Sequence, residues 1–215
     1  MKETCIFCLE NEADTKDHIP PKSFFPRPRP SNLITVPCCH ACNQSLGKDD
    51  ERARNLISAL EIPEKHPGVI SQIAPKRDRS LERPQGKSNL RHMLDSMAIV
   101  EVKTKAGIYT GSKAAFNFDQ PEFDRFIDKM ARGLLYHHTG LKSKKLITEW
   151  KFSPPVPNIN EIPEMIMFFV RKYGIQKIGD DVFSYLPGYF PGKFHSLWLI
   201  NFYNGIEFKV QIKEA

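Results

Sequence analysis

The stretch Cys38-Cys39-His40-Ala41-Cys42-Asn43 decides how the chain is read, because it sets a Cys-x-x-Cys pair and an asparagine at the start of a helical run. A second pair, Cys5 and Cys8, stands upstream, with thirty residues between Cys8 and Cys39. Two such pairs suit four thiolates closing on one tetrahedral ion, and soft sulfur ligands select zinc. A four-sulfur cage leaves no open coordination position, so this ion holds the fold and performs no chemistry. Cys38 is then the spare thiol, since a pairing through it breaks the two-residue spacing, and His40 reads as a surface residue inside the knuckle. Chemistry has to come from the neighbours.

Working outward, residues 15–19 and 33–36 have the composition of short strands on either side of a Pro-rich connection, which predicts a hairpin with a long loop. From Ala41 the chain turns helical, with Ala53, Leu56, Ile57 and Leu60 on one face and Gly47 as a point of kinking or division. Between and beside the cysteine pairs stand Asp17-His18, Asn32 and Asn43. Each of the acidic and amide residues, taken singly, reads as a turn or capping residue. Their joint order is what carries meaning.

In the sequence Cys-x-x-Cys, then DHIPPKS (17–23), then SNLITVPCCHACN (31–43), the chain resembles the His-Asn-His (HNH) nucleases of ββα-metal fold, in the subgroup clamped by a four-cysteine zinc. The resemblance covers residues 5–60 and departs from the family name at its third position, which is Asn43 rather than histidine. It implies that His18 is the general base and that Asp17 and Asn43 ligate a single catalytic Mg²⁺ or Mn²⁺. It further implies that Asn32 holds the hairpin loop and the His18 ring, and that Cys5, Cys8, Cys39 and Cys42 bind structural zinc. The implied reaction is hydrolysis of phosphodiesters in nucleic acid, with DNA expected, leaving 5′-phosphate and 3′-hydroxyl ends. Elementary chemistry agrees with this division. Neutral imidazole takes a proton from water near pH 7, and a carboxylate with an amide oxygen is a hard, oxygen-only site. Asn43 at a helix start would also turn unpaired N–H groups toward a phosphate.

The 215 residues are 40 % hydrophobic with 15 Phe, which excludes a disordered chain. The formal charge of +6 favours a polyanionic partner. Four thiolates on one zinc reduce it to about +4. The start has no signal peptide and no later stretch approaches a membrane span, so the chain reads as cytoplasmic with no membrane partner. Residues 1–62 form the expected zinc-clamped module. Residues 63–95 read as a basic, Pro-rich linker, and Lys76, Arg77 and Arg79, with Arg27 and Arg29 of the PRPRP segment, are its candidate phosphate contacts. Residues 96–215 read as an α+β domain: a strand pair near MAIVEV and GIYTG, helices over 121–140 and 161–173, and a terminal β-hairpin turning at Asn204-Gly205. Reading a substrate, binding a partner or forming a homodimer are its open roles. His137 and His138 read as structural, and Trp150 and Trp198 as core. The fold class is thus α+β, with a zinc-containing binding module that does not cut, a purely structural zinc protein, and RNA as substrate standing as alternatives.

Overall fold

A computed structural model describes residues 3–104, 106–117, 121–153 and 162–215. Strands β1 (Thr15–Ile19) and β2 (Ile34–Cys38) pair antiparallel, with His18 opposite Thr35 and Asp17 opposite Val36. The pleat buries Asp17 and Ile19 and turns Lys16 and His18 outward. Helix α1 (His40–Ser58) follows at once, its first N–H donating to Asp14 Oδ1 at 2.7 Å, and runs as one helix through Gly47.

Residues 63–95 are not a linker. They hold a short helix, α2 (Glu61–Glu64), a π-helical turn (Val69–Ile73), α3 (Ala74–Glu82) and α4 (Pro84–Asp95). The prolines misled: Pro75 sits at the first positions of α3 and Pro84 opens α4, where a missing N–H costs nothing. Val69 and Ile73, one turn apart, are fully buried.

Strands β3 (Met97–Lys103) and β4 (Tyr109–Phe116) form an exposed two-stranded ribbon. Helix α5 (Pro121–Thr139) closes its apolar face, Phe123, Phe126, Ile127, Met130 and Leu134, on the core, as its spacing predicts. Then come β5 (Leu146–Phe152), α6 (Glu164–Tyr173), β6 (Gln176–Ile178), β7 (Phe183–Tyr189), β8 (Ser196–Phe202) and β9 (Ile206–Glu214). The expected start of the α6 helix at Glu161 lies outside the described residues. The terminal hairpin is the centre of a five-stranded antiparallel sheet ordered β5-β9-β8-β7-β6.

Its turn sits one residue earlier than the Asn-Gly rule places it. Tyr203 and Asn204 carry the positive φ values, 52° and 54°, and Gly205 N–H donates to Phe202 O. Tertiary packing decides this: the buried Tyr203 hydroxyl donates to Phe24 O at 2.8 Å, in the loop between β1 and β2. A Cβ at Gly205 would meet the exposed Ile62 side chain, 2.4 Å from its Cδ1, so a larger residue there would displace Ile62.

A single hydrophobic cluster joins Ile19, Phe24 and Phe25 to Ile57, Ile73, Phe126 and Met130 and on to Trp198, Phe202 and Phe208. The first 62 residues therefore share their core with the rest. Helix α5 lies against β1 so tightly that a Cβ at Gly133 would stand 2.5 Å from Ile19 Cγ1. Among the described residues no helix is long and apolar enough to cross a membrane.

Candidate functional site

Cys5, Cys8, Cys39 and Cys42 bring their sulfurs within 4.8 Å of one another, which makes a four-thiol cluster able to hold a metal ion. The Cys8–Cys39 sulfur distance is 3.9 Å. The edge of a tetrahedron with zinc–sulfur arms of about 2.3 Å is about 3.8 Å, close to the Cys8–Cys39 separation. Backbone N–H groups of Asn11 and Glu10 pull the Cys8 thiol down to about 7, and Asn11 Nδ2 donates to Cys39 Sγ. Burial pushes the Cys42 thiol up, a penalty that a bound cation offsets. Cys38 is buried and donates to Cys39 O, outside the cluster, and His40 is exposed.

A cleft of about 290 Å³ is lined by Lys16, Asp17, His18, Lys22, Asn43, Asp50, Glu51 and Arg54, among others, Asn43 directly following the cluster residue Cys42. The hairpin supplies His18 and the first turn of α1 supplies Asn43, so the cysteine pair at 39 and 42 fixes the second relative to the first. Asn43 Nδ2 donates to Thr15 Oγ1 at 3.1 Å and to Lys16 O at 3.4 Å. Both amide hydrogens are then used, which leaves Oδ1 as the free acceptor. His18 is held below the usual histidine range, first by burial, then by Lys22, against the upward pull of Asp17 and with Arg29 and Lys129 adding to the depression. The neutral imidazole is thereby favoured.

Asp17 is more heavily engaged than the sequence implies. Its Oδ1 accepts the His18 backbone N–H at 2.7 Å, and its Oδ2 lies 2.8 Å from Lys129 Nζ. Lys129, from α5, is itself buried and reaches Asp50 Oδ2 at 2.6 Å. Burial lifts the Asp50 carboxyl to about 6, against the pull of Lys129. Neither Lys129 nor Asp50 stands out locally in sequence. The signal that could have found Lys129 is its position on the apolar stripe of α5, three residues after Phe126 and four before Gly133.

Asn32 is not at the cleft. It is exposed and donates to Lys177 O at 3.0 Å, so it ties the β1–β2 loop to β6 and does not touch the His18 ring. Arg77 is also elsewhere: its Nη1 donates to Ser58 O at 2.9 Å and its Nε pairs with Asp78, which caps the end of α1. The remaining four basic candidates converge. Lys76 is held below the usual lysine range by burial and by Arg27, Arg29, Arg54 and Arg79. Arg29 bears electrostatically on both Lys76 and His18, and Arg27 and Arg79 bear on Lys76.

Two devices hold that face. The Gln72 side chain, in the π-helical turn, accepts from Arg27 N at 2.7 Å and donates to Arg27 O at 2.9 Å. A buried polar chain from Asn55 through Ser80 to Glu51 fixes α3 on α1. Away from the cleft, Lys142 donates to Thr4 O and Lys144 pairs with Glu10, contacts that tie residues 142–144 to the N-terminal segment. His138 bonds Tyr185 and stacks near Trp198 and Tyr189, a structural role.

Fold and site together define a mixed α+β protein in which a four-cysteine, metal-competent cluster ties the segment before the hairpin, at Cys5 and Cys8, to the start of the first helix, while hairpin and helix line a polar cleft. No family model, curated protein or solved structure matches the chain.

Proposed function

We propose that this cleft hydrolyses phosphodiester bonds in nucleic acid, DNA before RNA, in the manner of the HNH nucleases that the sequence resembles. The observation that carries the reading is the meeting of a neutral His18, Asp17 and Asn43 in one cleft, beside a face built from Arg27, Arg29, Lys76 and Arg79. The arginines and Lys76 hold the phosphate backbone by charge, and the sequence is not read by them. A water molecule loses its proton to the His18 imidazole as its oxygen attacks phosphorus. The bond to the 3′-oxygen breaks, and that oxygen takes a proton from solvent. Asp17 and the free Asn43 Oδ1 are a hard oxygen donor set of the kind that suits Mg²⁺ or Mn²⁺, and Lys129 competes with such an ion for the Asp17 carboxylate. Such an ion, when bound, supplies positive charge at the phosphate and the departing oxygen. The cysteine cluster, with zinc, holds the helix that carries Asn43.

The pairing of Asp17 with Lys129 favours a second reading, a zinc-containing module that binds nucleic acid and does not cut. Nicking of supercoiled plasmid separates the two. Wild-type protein is expected to nick with added Mg²⁺ or Mn²⁺ and to stop with EDTA, while folded, zinc-loaded His18→Ala binds the plasmid and leaves it intact. Binding by both proteins with nicking by neither selects the non-cutting module.

A further inference from the structure

The proposed chemistry leaves Lys129 and Asp50 without a role. Lys129 is 1 % exposed, and Asp17 and Asp50 are 6 % and 8 % exposed. Its Nζ stands 2.8 Å from Asp17 Oδ2 and 2.6 Å from Asp50 Oδ2. Only the second contact is aligned as a hydrogen bond. Asp17 Oδ2 and Asp50 Oδ1 are buried without a hydrogen-bond partner among the described residues. Two carboxylates thus face one cation through charge, with their directional bonding incomplete. Carboxylate oxygens bind a metal ion through charge without any N–H needing to point at them, whereas an ammonium satisfies an acceptor only along one of its three N–H bonds. The triad also keeps one formal negative charge in excess.

We propose that Lys129 is a resident cation. Its ammonium fills, from within the chain, the place that a second divalent ion would take between Asp17 and Asp50, and so holds the cleft to one exchangeable metal. Two-metal sites hold their ions about 3.5–4 Å apart and stabilise both the attacking and the leaving oxygen. Here Asp17 would face one exchangeable ion and one cation covalently tethered through α5. A tethered ammonium is not lost to chelators, so the contact of α5 with β1 and α1 does not vary with metal supply. The inference rests on the reading of Asp17 as a ligand of a single divalent ion, and it accounts for that number.

Titration calorimetry of zinc-loaded protein with Mn²⁺ tests it, together with thermal unfolding in the presence and absence of Mn²⁺. Lys129→Met is expected to take up one more Mn²⁺ per chain than wild type and to gain more in unfolding midpoint from Mn²⁺. Lys129→Met/Asp50→Asn, which removes one charge of each sign, is expected to return to the wild-type count. A folded Lys129→Met that binds the same number of ions as wild type overturns the proposal. So does a Lys129→Met that stays unfolded with and without Mn²⁺, whereas one that folds only with Mn²⁺ upholds it. Wild type that binds no Mn²⁺ beyond its zinc sinks the single-ion reading, and the extra uptake by Lys129→Met still decides the role of the lysine.

Discussion

At the scale of single residues, the two asparagines of the motif part company. Asn43 spends its amide hydrogens on Thr15 and Lys16 and keeps Oδ1 for the cleft, while Asn32 spends its amide on Lys177 O. Asn43→Ala is therefore expected to raise the Mg²⁺ concentration needed for half-maximal nicking by about tenfold or more. Asn32→Ala is expected to leave that concentration unchanged, and a matching rise would return Asn32 to the site. That Asp17, His18 and Asn43 come together at one cleft was legible because they sit within a few residues of strand and helix boundaries next to the cysteines. The partner of Asp17 was not, since Lys129 is brought to it by the packing of a helix far along the chain. Nothing short-range in the sequence around residue 17 encodes that meeting.

Among the elements, the π-helical turn does the least expected work. Through Gln72 it presents both a donor and an acceptor to the Arg27 backbone, as a neighbouring strand would, and so stiffens a loop that has no strand beside it. Gln72→Ala is expected to weaken nucleic-acid binding severalfold at fixed salt without changing the salt slope, because the same charges remain but are held less well. Fluorescence anisotropy at several salt concentrations reads both quantities, and a reduced slope would mean that charges had been lost from the contact. Helix α5 gives a second expectation. Burial holds His138 down to about 4, with His137 adding to it, so the unfolded chain binds a proton there that the folded one refuses. Stability is accordingly lost as pH falls from about 6.5 toward about 4. His138→Phe should flatten the part of that slope due to this ring, as measured by urea unfolding at pH 7 and pH 5. The helices over 63–95 escaped the sequence because their prolines sit at first turns and their apolar residues are few. The hairpin register escaped because a buried tyrosine outweighed a turn preference.

For the whole molecule, one core runs from Ile19 to Phe208, and Phe7 packs against both that core and the separate cluster of buried cysteines, so the cysteine site and the sheet are expected to be stabilised together. Structural zinc contributes on the order of 10 kcal/mol in small domains. Cys39→Ser, or stripping the cluster with a strong chelator, is expected to lower the unfolding midpoint of the entire chain in one transition, followed by circular dichroism. Two separated transitions would mean that the first 62 residues fold as an independent unit. The α+β class and the cysteine cluster were legible, being written in spacing and composition; the shared core was not, because each half carries enough apolar residues to suggest a core of its own. Gly133 sharpens the point. Anything larger than hydrogen at that position would lever α5 off β1, one helical turn from Lys129, and a displacement of even 1 Å is large beside contacts of 2.6 and 2.8 Å. Inheritance of the site is then a matter of two distant segments descending as a pair. A recombination event that carried residues 1–62 into another chain would transplant the motif intact and leave behind the counter-charge that the motif requires.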